Sequence, residues 1–180
     1  MDVIDSVSER YFIKIQALPR SENNITNNKI RKLDLPNLNV LCKILFPGGM
    51  ASGFLIYFNK SSKNFFCLIT CEHVITKDMI KQKNEINFLY DNERKTKKIQ
   101  LNPDERFIKD FRDIDLDAVV IEILPKDNIE KEFFLEQDIN DFYDLNGLVN
   151  KEIEILQYAR GNLSYSCGKI SKIDNYNSFS

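Results

Sequence analysis

Short apolar runs, each followed by turn-forming residues, predict a series of β-strands through the middle of the chain. The first three runs occupy residues 40–46, 51–58 and 64–70, and only Pro-Gly-Gly-Met and Asn-Lys-Ser-Ser-Lys separate them. Connections this short join neighbouring antiparallel strands. The pattern therefore predicts an antiparallel β-meander.

Further apolar runs extend this pattern toward the end of the chain. Residues 85–90 and 97–101 predict a hairpin around the charged loop that lies between them. Residues 115–124 are almost continuously apolar, which is typical of a central strand. Residues 151–158 alternate between apolar and polar positions, and residues 163–173 form another run, so both segments predict strands.

Few segments predict helix. Thr76 is a suitable N-cap for a single helical turn. Residues 126–145 mix charges with aromatic residues, so they predict either a short helix or a crossing loop. The chain thus has at least eight predicted strands and one or two short helices. This content favours an all-β sandwich or barrel.

The domain organisation follows from a change of composition near residue 36. Residues 1–36 are interpreted as an N-terminal leader, because the polar, asparagine-rich segment that begins at Ser21 predicts a loop or disordered joint. Residues 37–180 are interpreted as one domain. A chain of 180 residues with 43% hydrophobic and 29% charged residues has a globular composition. It can bury about 70% of its unfolded surface.

Charge and composition narrow the function class. The net charge of −2 argues against a dedicated nucleic-acid binder. The N-terminus has neither the basic start nor the apolar run of a signal peptide, and no segment approaches the roughly 20 apolar residues of a membrane helix. We therefore expect a cytoplasmic protein that binds neither nucleic acid nor membrane. Most of its cysteines are expected to be buried, reduced thiols, at positions Cys42, Cys67, Cys71 and Cys167.

The segment Leu-Ile-Thr-Cys-Glu-His-Val-Ile-Thr contains the only histidine of the chain, His73. A histidine acts as a general base when a carboxylate holds one ring nitrogen and leaves the other free to accept a proton. Asp113, Asp115 and Asp117 lie just before or within the apolar run that predicts the central strand. They are either solvated loop residues, or one of them is the carboxylate that holds the histidine ring. A carboxylate at the start of a buried strand is energetically costly unless a group such as an imidazole binds it.

Four segments together resemble the trypsin-like (chymotrypsin-fold) serine peptidases, and most closely the intracellular and bacterial branch that includes the HtrA-type enzymes. They are residues 51–58, 65–76, 115–123 and 164–173. The resemblance rests on a small-Gly-apolar strand, a Thr-x-x-His-Val motif and an apolar run opened by aspartate, in this order. It implies a double β-barrel, with the first barrel complete and the second partial. It also implies a serine-type endopeptidase.

The resemblance implies that His73 is the catalytic base and that Asp117 is the carboxylate that orients it. Asp115 is the alternative, although the register of the apolar run fits Asp117 better. Two positions depart from the family. Glu72 replaces the usual alanine, and on a strand its side chain would face away from His73. Val74 replaces the disulfide-bonded cysteine of secreted trypsins, which agrees with a reducing location.

The nucleophile of this family is a serine in a Gly-x-Ser-Gly turn that also forms the oxyanion hole, and this motif does not occur in the chain. Cys167 and Gly168 are the nearest substitute, but Lys169 follows where a second glycine is needed. We therefore expect the serine to lie beyond Ser180 and this polypeptide alone not to hydrolyse peptides. A truncated enzyme, a fragment, or a degenerate copy that serves as a protein-binding scaffold would each fit.

A metal site is the other chemistry that the residues suggest. On a continuous strand Cys67, Cys71 and His73 would share one face. The two cysteines would then lie about 13 Å apart, which is too far to share a zinc ion or form a disulfide. We therefore predict no metal and no cofactor. The expected partner is a polypeptide substrate or another protein.

Overall fold

The computed structural model consists mainly of β-strands, so the predicted all-β class is confirmed. The structure describes residues 10–17, 38–46, 48–60, 63–114, 116–136 and 145–176. The strands are β1 (Arg10–Ala17), β2 (Leu41–Phe46), β3 (Gly49–Lys60), β4 (Lys63–Thr70), β5 (Glu85–Tyr90), β6 (Lys95–Gln100), β7 (Ile108–Asp110), β8 (Val119–Glu122), β9 (Leu135–Glu136), β10 (Glu152–Ala159) and β11 (Asn162–Tyr176). The α-helix α1 spans Lys77–Lys81.

The larger sheet has the strand order β6-β5-β2-β3-β4-β8-β7, and β9 pairs with β3 outside this order. Strands β2, β3 and β4 are antiparallel neighbours, which confirms the predicted meander. Strand β8 lies between β4 and β7, so the apolar run of residues 115–124 does form an interior strand. That strand covers only Val119–Glu122 of the run.

The larger sheet is open. Strands β6 and β7 stand at the two ends of the order, and no pairing between them occurs in the described residues. This differs from the expectation of a complete first barrel. The end strand β6 carries lysines at three of its six positions. Charged side chains of this kind protect an exposed sheet edge from pairing with other chains.

The smaller sheet has the order β1-β11-β10, and β1 pairs antiparallel with β11 from Arg10↔Tyr176 to Ala17↔Gly168. Strand β1 lies within residues 1–36, so this leader segment contains a strand. The loop predicted from Ser21 lies outside the described residues. The boundary predicted at residues 36–37 lies outside the described part of the chain.

The chain divides into two compact units. One unit contains β1, the first half of β10 and most of β11, and the other contains the larger sheet together with the hairpin tip at residues 156–164. In this second unit, the backbone amide of Tyr158 donates a hydrogen bond to the Ser52 hydroxyl at 2.7 Å. None of the described helices has the length and apolar character that a membrane span requires.

The core of the larger sheet is formed by the alternating inward positions of its strands. Strand β5 shows this pattern most clearly, because Ile86, Phe88 and Tyr90 are buried while the residues between them are not. Cys42 and Cys67 are free and fully buried, as predicted. Burial raises the pKa of the Cys67 thiol to about 12, so this group is unreactive at neutral pH.

Helix α1 begins where the sequence predicts. The Thr76 hydroxyl accepts a hydrogen bond from the backbone amide of Met79 at 3.4 Å, which confirms the predicted cap.

Residues 126–145 form neither one helix nor one loop over their described part. They contain part of a 3₁₀ turn at Pro125–Asp127, a second turn at Lys131–Phe133, and β9. Residues 137–144 lie outside the description.

Replacing Gly53 with alanine is expected to lower the free energy of unfolding by about 1–3 kcal/mol. A Cβ atom at this position would lie 2.7 Å from Ile44 Cδ1 and 3.0 Å from the carbonyl oxygen of Ile69. The backbone oxygen cannot move without disturbing the pairing of β3 with β4. Urea unfolding measures the effect. Asn59→Ala, at an exposed position of the same strand, is the control, and equal midpoints for the two variants would contradict the prediction.

Candidate active site

The candidate site lies at the ends of two neighbouring interior strands of the larger sheet, where β4 ends and β8 begins. These strands are antiparallel and pair Thr70 with Val119. The residues that follow Thr70 and those that precede Val119 therefore emerge side by side. His73 and Asp117 lie three residues after the first strand and two residues before the second.

Thr70 fixes the end of β4. Its side chain is buried, and its hydroxyl donates a hydrogen bond to the carbonyl oxygen of Ser52 in β3 at 2.8 Å. The threonine of the Thr-x-x-His motif thus ties the strand end to its neighbour. The small side chain at Ser52 belongs to the same arrangement, since its hydroxyl accepts the hydrogen bond from Tyr158.

A tight turn holds His73 above the core. The backbone amides of Val74 and Ile75 donate to the carbonyl oxygen of Cys71 at 3.2 Å and 3.3 Å. Val74 and Ile75 are buried, whereas the His73 side chain is 68% exposed. The buried side chains of Val74 and Ile75 therefore anchor the turn to the core, while the imidazole is accessible to solvent.

Asp117 binds His73 at two points. Its Oδ2 lies 2.6 Å from His73 Nδ1, and its Oδ1 accepts a hydrogen bond from the His73 backbone amide at 3.1 Å. Burial acts to raise the pKa of Asp117, but the hydrogen bonds from the backbone and ring of His73 and the nearby charge of Arg112 outweigh it, so this pKa is lowered. The carboxylate is therefore charged at neutral pH. As a pure acceptor it places the ring proton on Nδ1 and leaves the Nε2 lone pair free.

The structure brings together His73 and Asp117, which the sequence resemblance pairs. The Asp117 side chain is 54% exposed, so this carboxylate is not deeply buried. Asp113 points to a different partner, since its carboxylate lies 3.5 Å from Lys109 Nζ. Asp115, the alternative partner, lies outside the described residues.

Two ion pairs beside the site were not predicted from the sequence. Glu72 is only 6% exposed, and its carboxylate accepts a hydrogen bond from the guanidinium of Arg112. Lys77 Nζ lies 3.6 Å from the carboxylate of Asp110. Both pairs join the His73 turn and the start of α1 to the segment that leads to Asp117. The expectation that Glu72 lies on a strand is wrong, because β4 ends at Thr70.

Cys71 also belongs to this cluster. Its thiol, a ring nitrogen of His73 and a carboxylate oxygen of Asp117 all lie within 4.8 Å of one another. Burial and the negative charge of Asp117 both raise the pKa of the Cys71 thiol, so it is not an activated nucleophile. Cys67, Cys71 and His73 do not lie on one continuous strand, because β4 ends at Thr70 and Cys67 is enclosed in the sheet core.

Comparisons with protein-family models, with curated proteins and with solved structures found no match for this chain. The chemistry of the site is therefore inferred from its own geometry. An exposed imidazole, held at Nδ1 by an ionised carboxylate, can accept a proton at Nε2 and can be stabilised once it is charged.

Proposed function

We propose that this chain carries the His–Asp half of a serine-type endopeptidase of the chymotrypsin kind, with His73 as general base and Asp117 as the group that orients it. The observation that carries the proposal is the two-point contact between them, with Asp117 Oδ2 2.6 Å from His73 Nδ1 and Oδ1 3.1 Å from the backbone amide. The proposal equates the open larger sheet with the first barrel of that fold. It equates the three-stranded sheet with part of the second.

The proposed chemistry uses each nitrogen of the ring for one task. Nε2 of His73 takes the proton of a serine hydroxyl as that oxygen attacks a peptide carbonyl, and it later returns the proton to the leaving amine. Asp117 accepts the Nδ1 hydrogen bond throughout and stabilises the imidazolium that forms between these steps. The substrate is accordingly a polypeptide.

The sequence lacks the serine motif that would supply the nucleophile of this reaction. Gly-x-Ser-Gly does not occur in the sequence. The nearby Cys71 thiol has a pKa raised by burial and by the charge of Asp117, so it is not an activated nucleophile. The absence of the motif also favours a second candidate function, a peptidase-like scaffold that binds a protein partner without catalysis.

A fluorophosphonate probe, which reacts covalently with activated serines, is expected not to label the purified 180-residue chain. The reason is that Gly-x-Ser-Gly, the motif that would supply both the serine nucleophile and the oxyanion hole, does not occur in the sequence. Labelling is measured by in-gel fluorescence, with trypsin as the positive control. Labelling of a single serine in this chain would contradict the prediction.

The same probe distinguishes the enzyme from the scaffold. A product of the same reading frame that includes a Gly-x-Ser-Gly segment is expected to be labelled, and His73→Ala is expected to abolish the labelling. Asp113→Asn, which changes a nearby carboxylate that pairs with Lys109, is the matched control. A product with this motif that fails to react, or that reacts independently of His73, would favour the scaffold.

A further inference from the structure

The cluster at the end of β4 combines three kinds of metal-binding side chain. Cys71 offers a thiolate, His73 an imidazole nitrogen and Asp117 a carboxylate oxygen, and these donor atoms lie within 4.8 Å of one another. Thiolate, imidazole and carboxylate are the donors that proteins use for zinc. The turn that follows β4, rather than the strand itself, brings them together.

A small movement of the side chains would bring the donors to the spacing of a tetrahedral zinc site. Bond lengths of about 2.0–2.3 Å place two ligand atoms of one zinc ion roughly 3.3–3.6 Å apart. His73 Nδ1 and Asp117 Oδ2 are 2.6 Å apart, which is the spacing of a hydrogen bond. An ion would take the place of the Nδ1 proton in this hydrogen bond. Both side chains are more than half exposed and can separate by the small distance required.

The charges of the three donors also suit a divalent cation. A thiolate and a carboxylate supply two negative charges, and a neutral imidazole adds none. Binding would transfer the Cys71 proton to solvent, as it does for other thiol ligands. Thiolate ligation selects zinc and similar ions over magnesium and calcium. The neighbouring carboxylate of Glu72 does not compete for the ion, because it pairs with Arg112.

We propose that Cys71, His73 and Asp117 form a binding site for Zn²⁺ or a similar thiophilic divalent cation, with the fourth coordination position open to water. An ion bound at Nδ1 replaces the hydrogen bond to Asp117. The proton of the neutral imidazole then lies on Nε2, so the metal-bound form cannot accept a proton there and cannot act as the general base. Metal binding and the proposed base function therefore exclude each other at this site.

Titration with Co²⁺ after treatment with a chelator tests the site, because a thiolate bound to Co²⁺ gives a charge-transfer band in the near ultraviolet. The expected result is one bound ion per chain, with a thiolate band that Zn²⁺ abolishes and Mg²⁺ does not. Cys71→Ser is expected to remove the band, and His73→Gln is expected to weaken Co²⁺ binding at least tenfold. Asp113→Asn, a nearby carboxylate outside the cluster, is expected to leave both unchanged.

The proposal is overturned if no thiolate band appears, or if Cys71→Ser keeps the band and the affinity of the unaltered chain. Circular dichroism of each metal-free variant shows whether it is folded. If Cys71→Ser is not folded, Asp117→Asn replaces it, and undiminished Co²⁺ affinity in that variant would refute the site. The readout is a spectrum of the 180-residue chain rather than hydrolysis. Failure of this experiment therefore leaves the His–Asp base proposal standing, and failure of the labelling experiment leaves the metal site standing.

Discussion

Replacing Asp127 with alanine is expected to lower the free energy of unfolding by about 3–5 kcal/mol. Arg106 and Asp127 are only 4% and 8% exposed, and the guanidinium donates to both carboxylate oxygens, at 2.9 Å and 3.1 Å. Nη1 of Arg106 also donates to the carbonyl oxygen of Glu122 at 2.8 Å. The Asp127 carboxylate also accepts the Leu124 backbone amide at 2.7 Å, so its removal leaves this amide and the buried guanidinium without their shared acceptor.

After this loss the guanidinium would keep its hydrogen bond to the carbonyl oxygen of Glu122, which carries no charge to compensate it. Its Nε is buried and has no hydrogen-bond partner among the described residues. A guanidinium that already lacks one bond would, without Asp127, be a buried and uncompensated charge. The effect should therefore exceed that of any exposed ion pair, for which about 0–1 kcal/mol is typical.

Urea unfolding followed by circular dichroism measures the difference. Asp104→Ala is a matched control, because Asp104 forms an exposed ion pair with Lys83. The double variant Arg106→Leu/Asp127→Leu is expected to be more stable than Asp127→Ala, since it leaves no unpaired charge. If Asp127→Ala lies within about 1 kcal/mol of the control, the buried pair does not stabilise the fold as argued.

Replacing Asp117 with asparagine is expected to lower kcat for peptide hydrolysis about 10⁴-fold in any form of the protein that reacts with the fluorophosphonate probe. The reason lies in the second contact between Asp117 and His73, which involves the His73 backbone. The His73 backbone amide donates to Oδ1 of Asp117, so in the variant it would hold the amide oxygen of asparagine at this place. The NH₂ group would then face Nδ1, where the carboxylate oxygen lies now at 2.6 Å.

An NH₂ group facing Nδ1 makes that nitrogen an acceptor and moves the ring proton to Nε2. The nitrogen that should receive the serine proton would then already carry one. The tautomer can be measured without any hydrolysis, by ¹⁵N NMR of the 180-residue chain. We expect Nδ1–H in the unaltered chain and Nε2–H in Asp117→Asn, with Asp113→Asn unchanged. The same tautomer in all three proteins would contradict this mechanism.

Local patterns predicted most of the larger sheet. The short turns after β2 and β3 predicted the meander, and Thr76 predicted the start of α1. Strand β1 was not predicted, because the polar segment from Ser21 dominates the interpretation of residues 1–36. The aromatic and β-branched residues at positions 11–15 are a local strand signal that this interpretation passed over, and the partner strand β11 is far away in sequence.

The candidate site was predictable in part. His73 and Asp117 could be proposed from motifs, but their contact depends on the register that pairs Thr70 with Val119, which no local pattern gives. The pair of Glu72 and Arg112 joins residues 40 positions apart and left no signal beyond the unusual glutamate before the histidine. Cys71 was not assigned to the site, because the strand was extended past its end at Thr70.

The dependence of the His73–Asp117 contact on strand register makes the imidazole a probe of folding. If β4 slipped by one residue against β8, the side chains of β4 would face the opposite side of the sheet. The contact between His73 and Asp117 could not form in that register. The chain has a single histidine, so its ring resonances need no assignment among alternatives. The time at which the chemical shifts of the His73 ring reach their native values during refolding would therefore show when β4 and β8 pair in the correct register.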